Sequence, residues 1–280
     1  MGRSKSYPLN HLFEIRGKIA ERMNKIKYKI AIISGKGGVG KTTITVNMAC
    51  GLRMRGFKVG VIDADIHGPD IPIALGLEKA CVQGSKNGMI PPQNSMGIKV
   101  MSIGFFIEKE EPVIWSGPLV SKAIIQFLRD VIWGDLDFLI IDLPPGTGDP
   151  ILTIFRFLPN LTGVILVTTP QKIALIDAQK ALNLCKKLNI PVLGVIENMS
   201  YFVCPFCGSR IRVFPNINID EKIEEWKIPL LGRIPLINDI TSLTDMGQPI
   251  IIQKNEISNL FMAIIDKLLI RINEITTGEN

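Results

Sequence analysis

Ten consecutive residues near the start of the chain combine glycines, lysines and threonines in a spacing suited to binding phosphate. They fit the template G-x-x-x-x-G-K-[ST] and directly follow an apolar run that ends at Ile33. Because glycine has no side chain, successive backbone N–H groups can turn into one concavity and meet phosphate oxygens. We call this segment the P-loop, and its residues are Ser34, Gly35, Lys36, Gly37, Gly38, Val39, Gly40, Lys41, Thr42 and Thr43. The pattern predicts a binding site for a nucleoside triphosphate.

Two P-loop side chains supply the charge and the hydroxyl group that such a site needs. Lys41 places a positive charge near the β- and γ-phosphates, so it is predicted both to bind the nucleotide and to take part in catalysis. Thr42 offers its hydroxyl to Mg²⁺. The helix predicted over residues 41–54 points the positive end of its dipole at the anion. The alternative interpretation is a glycine-rich turn that only joins a strand to a helix.

Aspartates follow two predicted strands, at the edge where parallel sheets bind ligands. Asp63 and Asp65 follow one apolar run, and Asp142 follows another. Alternation places Asp63 and Asp65 on one side, where we expect Asp63 to support the metal and Asp65 to orient the attacking water. Asp142 is predicted to hold Mg²⁺ through water, and Gly146 to bring a backbone N–H near the γ-phosphate. The alternative is that these aspartates cap turns and helix starts.

Cys204 and Cys207 form a C-x-x-C pair late in the chain. Such a pair can be half of a zinc site, a redox dithiol or half of an iron–sulfur site. Thiolate metal sites commonly need four ligands, and the other three cysteines form no second pair. The shortage disappears when two chains pair, because a two-fold axis then brings four thiolates into one site. The pair therefore predicts a link between metal binding and dimerisation.

Apolar runs bounded by turn residues alternate with helical patterns along the chain. Strands are predicted over residues 29–33, 58–62, 98–103, 137–141, 163–167, 191–196 and 229–231. Helices are predicted over residues 41–54, 119–132, 173–188 and 257–272. The alternation predicts an α/β fold with a doubly wound, mostly parallel sheet and helices on both faces.

Length and composition allow a substantial core, and a single doubly wound α/β domain of this size is ordinary. Apolar residues make up 46% of the 280, and no apolar stretch approaches the roughly 18 residues that a membrane span requires. Five cysteines without a regular framework fit a reducing compartment. We therefore expect a soluble, cytoplasmic protein without a transmembrane segment.

The net charge of +6 is concentrated at the N-terminus, where residues 1–29 hold eight Lys and Arg against two Glu. Apolar residues recur there at helical spacing, namely Leu12, Ile15, Ile19, Met23 and Ile26. We expect a basic helical arm over residues 1–28 and a P-loop domain over residues 29–280, with the cysteine pair on an insertion near 200–215. The arm either docks on the domain or approaches an anionic membrane, a nucleic acid or an acidic partner. Nucleic acid is not the partner we expect.

Lys36 makes the P-loop resemble the deviant Walker A sequence K-G-G-x-G-K-[ST]-T of MinD- and ParA-type ATPases. The resemblance implies nucleotide-sandwich dimers in which Lys36 is catalytic, reaching the phosphates bound by the second copy. It also implies that Asn198, which follows a late strand, reads adenine, although the same residue fits a plain turn. The guanine-reading element Asn-Lys-x-Asp does not follow the P-loop, so ATP is the expected nucleotide.

Taken together, the motifs are similar to those of the Mrp/ApbC-type P-loop ATPases over roughly residues 28–250. The matching segments are 35–43, 63–69, 115–118, 142–149, 168–171 and 197–208. The resemblance implies an ATPase that bridges a 4Fe-4S cluster across a homodimer through Cys204 and Cys207 and delivers it to apo iron–sulfur proteins. His67, Asp70 and residues 214–218 depart from the family pattern, which leaves the first switch loop and the partner contacts open.

Two other functions stay open from the sequence. One is a MinD/ParA-like ATPase switch that positions cargo on a membrane or DNA through the basic arm, with binding that weakens steeply as salt increases. The other is an ATPase of similar class whose cysteine pair holds structural zinc or forms a redox dithiol. Colour separates this last function from an iron–sulfur protein, which is brown.

Overall fold

The computed structural model describes residues 9–66, 68–107, 117–214, 219–237 and 239–278. Parts of four predicted features lie outside these ranges. They are residues 1–8 of the basic arm, residue 67 of the matching segment 63–69, residues 115–116 of the matching segment 115–118, and residues 215–218 of the segment that departs from the family pattern. All residues of the P-loop and both members of the cysteine pair are described.

Eleven strands occur in the described part of the chain, and seven of them form one parallel sheet. The strands are β1 (Ile26–Ile33), β2 (Val59–Asp63), β3 (Gln83–Ser85), β4 (Gly88–Ile90), β5 (Lys99–Ser102), β6 (Leu136–Asp142), β7 (Gly163–Thr168), β8 (Val192–Glu197), β9 (Phe202–Val203), β10 (Arg210–Ile211) and β11 (Leu230–Arg233). The sheet order is β11-β8-β7-β1-β6-β2-β5, and every neighbouring pair is parallel. β3 pairs with β4, and β9 with β10, as antiparallel hairpins.

Helices cover both faces of the sheet. They are α1 (Leu9–Met23), α2 (Lys41–Met54), α3 (Ile71–Ala74), α4 (Gly117–Asp130), α5 (Asp149–Phe157), α6 (Lys172–Lys187), α7 (Ile219–Trp226), α8 (Asp239–Asp245) and α9 (Glu256–Thr277). Ile30 and Ile32 of β1 share a core with α2 and α9, whereas Ala31 and Ile33 share a second core with α1, α4, α5 and α6. The central strands are buried on both sides because a helix layer lies on each face.

The helix α1 is docked on the domain. Ile19 and Met23 are completely buried in the core that contains α4. Lys29 is buried as well, and its Nζ donates hydrogen bonds to Ile26 O at 2.9 Å and to Met23 O at 3.4 Å. Burial lowers the pKa of Lys29. The C-terminal half of the apolar face of α1 is thus occupied by the protein core, whereas Leu12 and Ile15 are only half-buried. The lysine satisfies a carbonyl at the end of the helix.

Predicted and observed elements differ mainly where segments are short. β1 begins at Ile26, earlier than predicted, because Ile26 is buried and pairs with Leu136 of β6. The helices α3, α5, α7 and α8 and the two hairpins have no counterpart in the prediction, since elements this short show little periodicity. Within the described ranges, no helix combines the length and the hydropathy that crossing a membrane requires.

Candidate functional site

The P-loop joins β1 to α2 at the carboxyl ends of the parallel strands. Gly38 and Gly40 adopt φ angles of +76° and +82°, a left-handed conformation that favours glycine. Gly35 lies against α6, where a Cβ atom would come within 2.2 Å of the backbone C of Asp177. Backbone conformation or lack of space therefore requires these three glycines. The loop then runs into the first turn of α2, which contains Lys41, Thr42 and Thr43.

Lys41 lies between two carboxylates. Its Nζ is 2.8 Å from Asp142 Oδ1 and 3.4 Å from Asp65 Oδ2, and both Lys41 and Asp142 are buried. Burial alone would lower the pKa of this ammonium group, but the negative charges of Asp142, Asp65 and Asp63 outweigh burial and raise it. The site therefore holds a buried positive charge at the position where the template expects phosphate groups to bind.

Asp142 also accepts hydrogen bonds from two threonines of α2. Thr42 Oγ1 donates to Oδ2 at 2.9 Å, and Thr45 Oγ1 donates to Oδ1 at 3.0 Å. The adjacent hydroxyl of Thr42 and carboxylate of Asp142 are hard oxygen ligands, so they fit the coordination chemistry of Mg²⁺. The template does not include Thr45, but this residue lies four positions after Lys41 and therefore on the same helix face. Helical spacing is the signal that identifies it.

Asp63 is completely buried beside Asp142, its register partner on the neighbouring strand. Its carboxylate accepts hydrogen bonds from Ser102 Oγ at 2.8 Å and from Asp65 N at 3.3 Å. Burial, followed by the charge of Asp142, raises the pKa of Asp63 well above its usual range. Strand alternation does not extend to Asp65, because β2 ends at Asp63. Asp65 instead lies in the following turn and reaches Lys41, while Asp63 is held by Ser102, a contact the sequence analysis missed.

Asn198 supports the P-loop from the end of β8. Its side-chain Nδ2 donates a hydrogen bond to Val39 O at 2.8 Å. Gly40 approaches the same amide so closely that a Cβ atom there would lie 2.1 Å from Nδ2. Sequence resemblance predicts a contact with adenine for Asn198, and the structure adds this contact with the P-loop backbone. Asn198 is therefore in direct contact with the phosphate-binding segment.

Two further predicted residues hold contacts within the chain. Lys36 Nζ donates a hydrogen bond to Gln171 Oε1 at 2.7 Å. Gly146 adopts a φ of +93°, and its N–H donates to Ser34 O at 2.9 Å. The roles predicted for Lys36, across a dimer, and for Gly146, at the γ-phosphate, both require these contacts to be exchanged for others.

Cys204 and Cys207 lie in the turn of the hairpin formed by β9 and β10, residues 202–211, which we call the cysteine hairpin. Cys204 N donates to Ser209 O at 3.0 Å, and Gly208 N donates to Cys204 O at 2.9 Å. Hydrogen bonds with Ser209 and then Cys204 lower the pKa of the exposed Cys207 thiol. A lowered pKa favours the thiolate, which is the form that binds metals. The described residues contain no group of three or more His, Cys, Asp or Glu side chains placed to hold a metal ion.

The connection from Asn198 to Cys204 is short and held by backbone hydrogen bonds. Ser200 N donates to Ile234 O at 3.0 Å, and Leu236 N donates to Tyr201 O at 2.7 Å. The connection thereby pairs with the segment that follows β11. A structured backbone thus joins the residue that supports the P-loop to the first cysteine of the pair.

Comparison with known proteins places the chain in a family. The family model described as ParA, NUBPL iron-transfer P-loop NTPase matches residues 25–269. An iron–sulfur cluster carrier protein of Methanocaldococcus jannaschii is 47% identical over 253 residues, which cover 90% of this chain and 87% of the relative. The iron–sulfur cluster transfer protein NUBPL of Dictyostelium discoideum is 44% identical over 227 residues, covering 80% of this chain and 70% of the relative.

Solved structures agree with the predicted fold. A nucleotide-binding protein from Archaeoglobus fulgidus in complex with ADP superposes with a TM-score of 0.74 at 41% identity, covering 83% of this chain and 91% of that one. The MinC:MinD cell division complex of Aquifex aeolicus gives a TM-score of 0.65 at 21% identity, covering 86% and 95%. At this identity, the likeness to the MinC:MinD complex concerns the fold alone. The expected doubly wound sheet of a MinD/ParA-like P-loop protein is confirmed.

Proposed function

The chain belongs to the NUBPL iron-transfer family of ParA-like P-loop NTPases, and we propose that it is an ATP-dependent carrier of iron–sulfur clusters. The cargo is a 4Fe-4S cluster that two copies hold jointly through Cys204 and Cys207 and deliver to apo iron–sulfur proteins. One observation carries the proposal. The buried Lys41–Asp142 pair and the two thiols occur in the same chain, linked by a hydrogen-bonded connection from Asn198 to Cys204.

Two features support an ATP site at the P-loop, namely the buried positive charge of Lys41 and the oxygen ligands of Thr42 and Asp142 beside it. The P-loop N–H groups and Lys41 bind the phosphates, so Lys41 exchanges a carboxylate partner for a phosphate partner. Thr42 and Asp142 hold Mg²⁺, which neutralises charge on the phosphates. Asp65 reaches Lys41 Nζ from the turn after β2, where it orients the attacking water and accepts its proton.

Catalysis in this scheme requires a second copy. Lys36 leaves Gln171 and places its charge beside the phosphates bound by the other chain, where it stabilises the transition state as an arginine finger does. Gly146 likewise exchanges Ser34 O for a phosphate oxygen. ATP hydrolysis to ADP and phosphate is then a property of the homodimer rather than of the single chain.

The cluster is a substrate that the single chain cannot hold with thiolates alone. A 4Fe-4S cluster takes four thiolate ligands, and each chain presents two in the cysteine hairpin. Two hairpins related by a two-fold axis supply all four. ATP shifts the population between cluster-holding and cluster-releasing dimers only as far as it binds them with different affinity. The exposed thiol of Cys207 and the half-buried thiol of Cys204 suit the reducing cytoplasm.

The direct test is anaerobic reconstitution with iron and sulfide. Wild type is compared with Cys204→Ala/Cys207→Ala, and with Cys81→Ala as a matched control, because Cys81 is also exposed but lies outside the hairpin. We expect absorbance near roughly 400 nm and about four irons per dimer in wild type and in the control, and neither in the double variant. A colourless wild type, or iron binding that survives the double substitution, would overturn the proposal.

A further inference from the structure

The most exposed large apolar side chain in the described part of the chain lies between the two cysteines. Phe206 is 97% exposed, more than Phe13 at 69% or Phe106 at 52%. We infer that Phe206 is an interface residue for a second copy of this chain and that its ring covers the shared cluster against solvent. This inference rests on the proposed function and goes beyond it, because ligation by the two cysteines does not require an aromatic residue between them.

The ring is carried by an ordered turn. The turn is closed by the backbone hydrogen bonds of Cys204 with Ser209 and Gly208, and β9 pairs with β10 through Val203 and Arg210. The Cζ atom of Arg210 lies over the ring of Tyr201, 5.0 Å from the ring centroid. This contact packs the base of the hairpin against the connection that runs from Asn198 to Cys204. The hydrogen-bonded turn therefore presents the phenyl ring outward to solvent, and the ring is not packed against the domain.

The position of Phe206 relative to the thiols determines what the ring meets. Phe206 is one residue from Cys207 and two from Cys204, so its Cα lies within about 8 Å of both ligand-bearing Cα atoms. The described residues place no group of three or more His, Cys, Asp or Glu side chains to hold a metal ion, and in the proposed function the remaining thiolates come from the cysteine hairpin of a second copy. In such an isologous contact the Phe206 of each copy lies close to the shared cluster, because it stands between two of its ligands.

An apolar cover at this place has a chemical consequence. The hydrophobic shell around a metal site controls the access of solvent to it. A phenyl ring from each copy excludes water and chelators from the side of the cluster that the hairpins leave open. Burial of two otherwise exposed rings also strengthens the association of the two chains. The ring thus contributes to retention of the cluster and to the dimer without touching iron as a ligand.

The test measures retention separately from loading. Wild type, Phe206→Ser, Phe206→Leu and Phe13→Ser are reconstituted anaerobically, and the first-order loss of roughly 400 nm absorbance to excess chelator is followed. Phe13→Ser is the matched control, because it removes an exposed phenyl ring on α1, away from the hairpin. We expect equal iron at loading, loss about 10-fold faster in Phe206→Ser, and rates within about twofold of wild type in Phe206→Leu and Phe13→Ser. Sedimentation of the loaded proteins should show a weaker dimer only for Phe206→Ser.

The experiment distinguishes failure of the proposed function from failure of the inference about Phe206. If wild type itself takes up no iron, the proposed function fails. If wild type loads normally and Phe206→Ser keeps both its cluster and its dimer as wild type does, the inference alone is overturned. A Phe206→Ser protein that retains the cluster but transfers it slowly to an apo-ferredoxin also overturns it, because the ring then contacts the recipient and not the second copy.

Discussion

Lys36 Nζ and Gln171 Oε1 are joined by a hydrogen bond of 2.7 Å within one chain. Gln171 directly precedes the first turn of α6, so the P-loop lysine is held by a residue of its own chain. If Lys36 acts on phosphates bound by the second copy, this bond has to break first. On the proposed function, breaking this bond then enters the free energy of ATP-dependent dimerisation.

Substitutions at Gln171 should shift the dimer in opposite directions. Gln171→Ala removes the bond and should tighten the ATP-bound dimer about 5-fold, whereas Gln171→Glu adds a charge and should weaken it by a similar factor. Sedimentation velocity with ATP measures both. In a Lys36→Ala background neither substitution should have an effect, and an effect that persists there would contradict the role of the Lys36–Gln171 contact.

Gly40 should be essential for nucleotide binding through its backbone and its lack of a side chain. Gly40→Ala introduces a Cβ at a φ of +82° and against Asn198 Nδ2, so we expect ADP affinity to fall by at least about 10-fold. Gly56→Ala is the matched control, because Gly56 has a similar φ of +90° but open space around it. The control should lose about 1 kcal/mol of stability and keep its ADP affinity in calorimetry. Equal affinities in the two variants would count against the P-loop geometry.

Removal of the Asp63 charge should stabilise the nucleotide-free protein in a pH-dependent way. The folded-state pKa of Asp63 is raised, so its contribution to stability is fully present below the unfolded-state pKa of about 3.9 and is lost as the pH rises through the folded-state pKa. Asn does not titrate. The stability of Asp63→Asn relative to wild type should therefore grow by up to about 1.4 kcal/mol per pH unit above about pH 4, until the folded-state pKa is reached.

Thermal or denaturant unfolding from about pH 4 to about pH 8 measures this difference. Asp266→Asn serves as the control, because Asp266 is half-exposed and paired with Arg55 at the surface. Its relative stability should stay within about 1 kcal/mol. A difference between Asp63→Asn and wild type that does not change with pH would show that Asp63 is ionised at no free-energy penalty.

Lys41→Ala should separate the nucleotide function from cluster loading. Loss of a charge-assisted contact to phosphate should weaken ADP binding about 100-fold or more in calorimetry. Iron uptake on anaerobic reconstitution should stay close to wild type, because the cysteine hairpin is a separate element. Transfer to an apo-ferredoxin should be lost. If iron uptake is lost together with ADP binding in a folded variant, loading itself depends on the nucleotide site.

The parts of the site that depend on neighbouring residues could be predicted from the sequence. The P-loop acts through residues adjacent in the chain, and its spacing alone identifies Lys41 and Thr42. The strands of a buried parallel sheet are apolar throughout, so apolar runs in the sequence predict where the strands lie. The aspartates that directly follow these runs are then predicted to lie at the ligand-binding edge of the sheet. Cys204 and Cys207 are likewise identified by spacing.

The remaining contacts join residues that are distant in the sequence. Ser102 contacts Asp63 across 39 positions, Gln171 contacts Lys36 across 135, and Asn198 contacts Val39 across 159. No local pattern encodes such a pairing, because it depends on the order of strands in the sheet. The exposure of Phe206 is a property of the folded hairpin in the same way, since the sequence shows only an aromatic residue between two cysteines.

The central claim is that two copies of the chain share one cluster through their cysteine hairpins. Native mass spectrometry of anaerobically reconstituted wild type, mixed with a mass-tagged Cys204→Ala/Cys207→Ala chain, tests it most directly. We predict one 4Fe-4S cluster on wild-type homodimers, and none on monomers, on mixed dimers or on variant homodimers. A cluster on a single wild-type chain, or on a mixed dimer that offers only two of these thiols, would contradict the account.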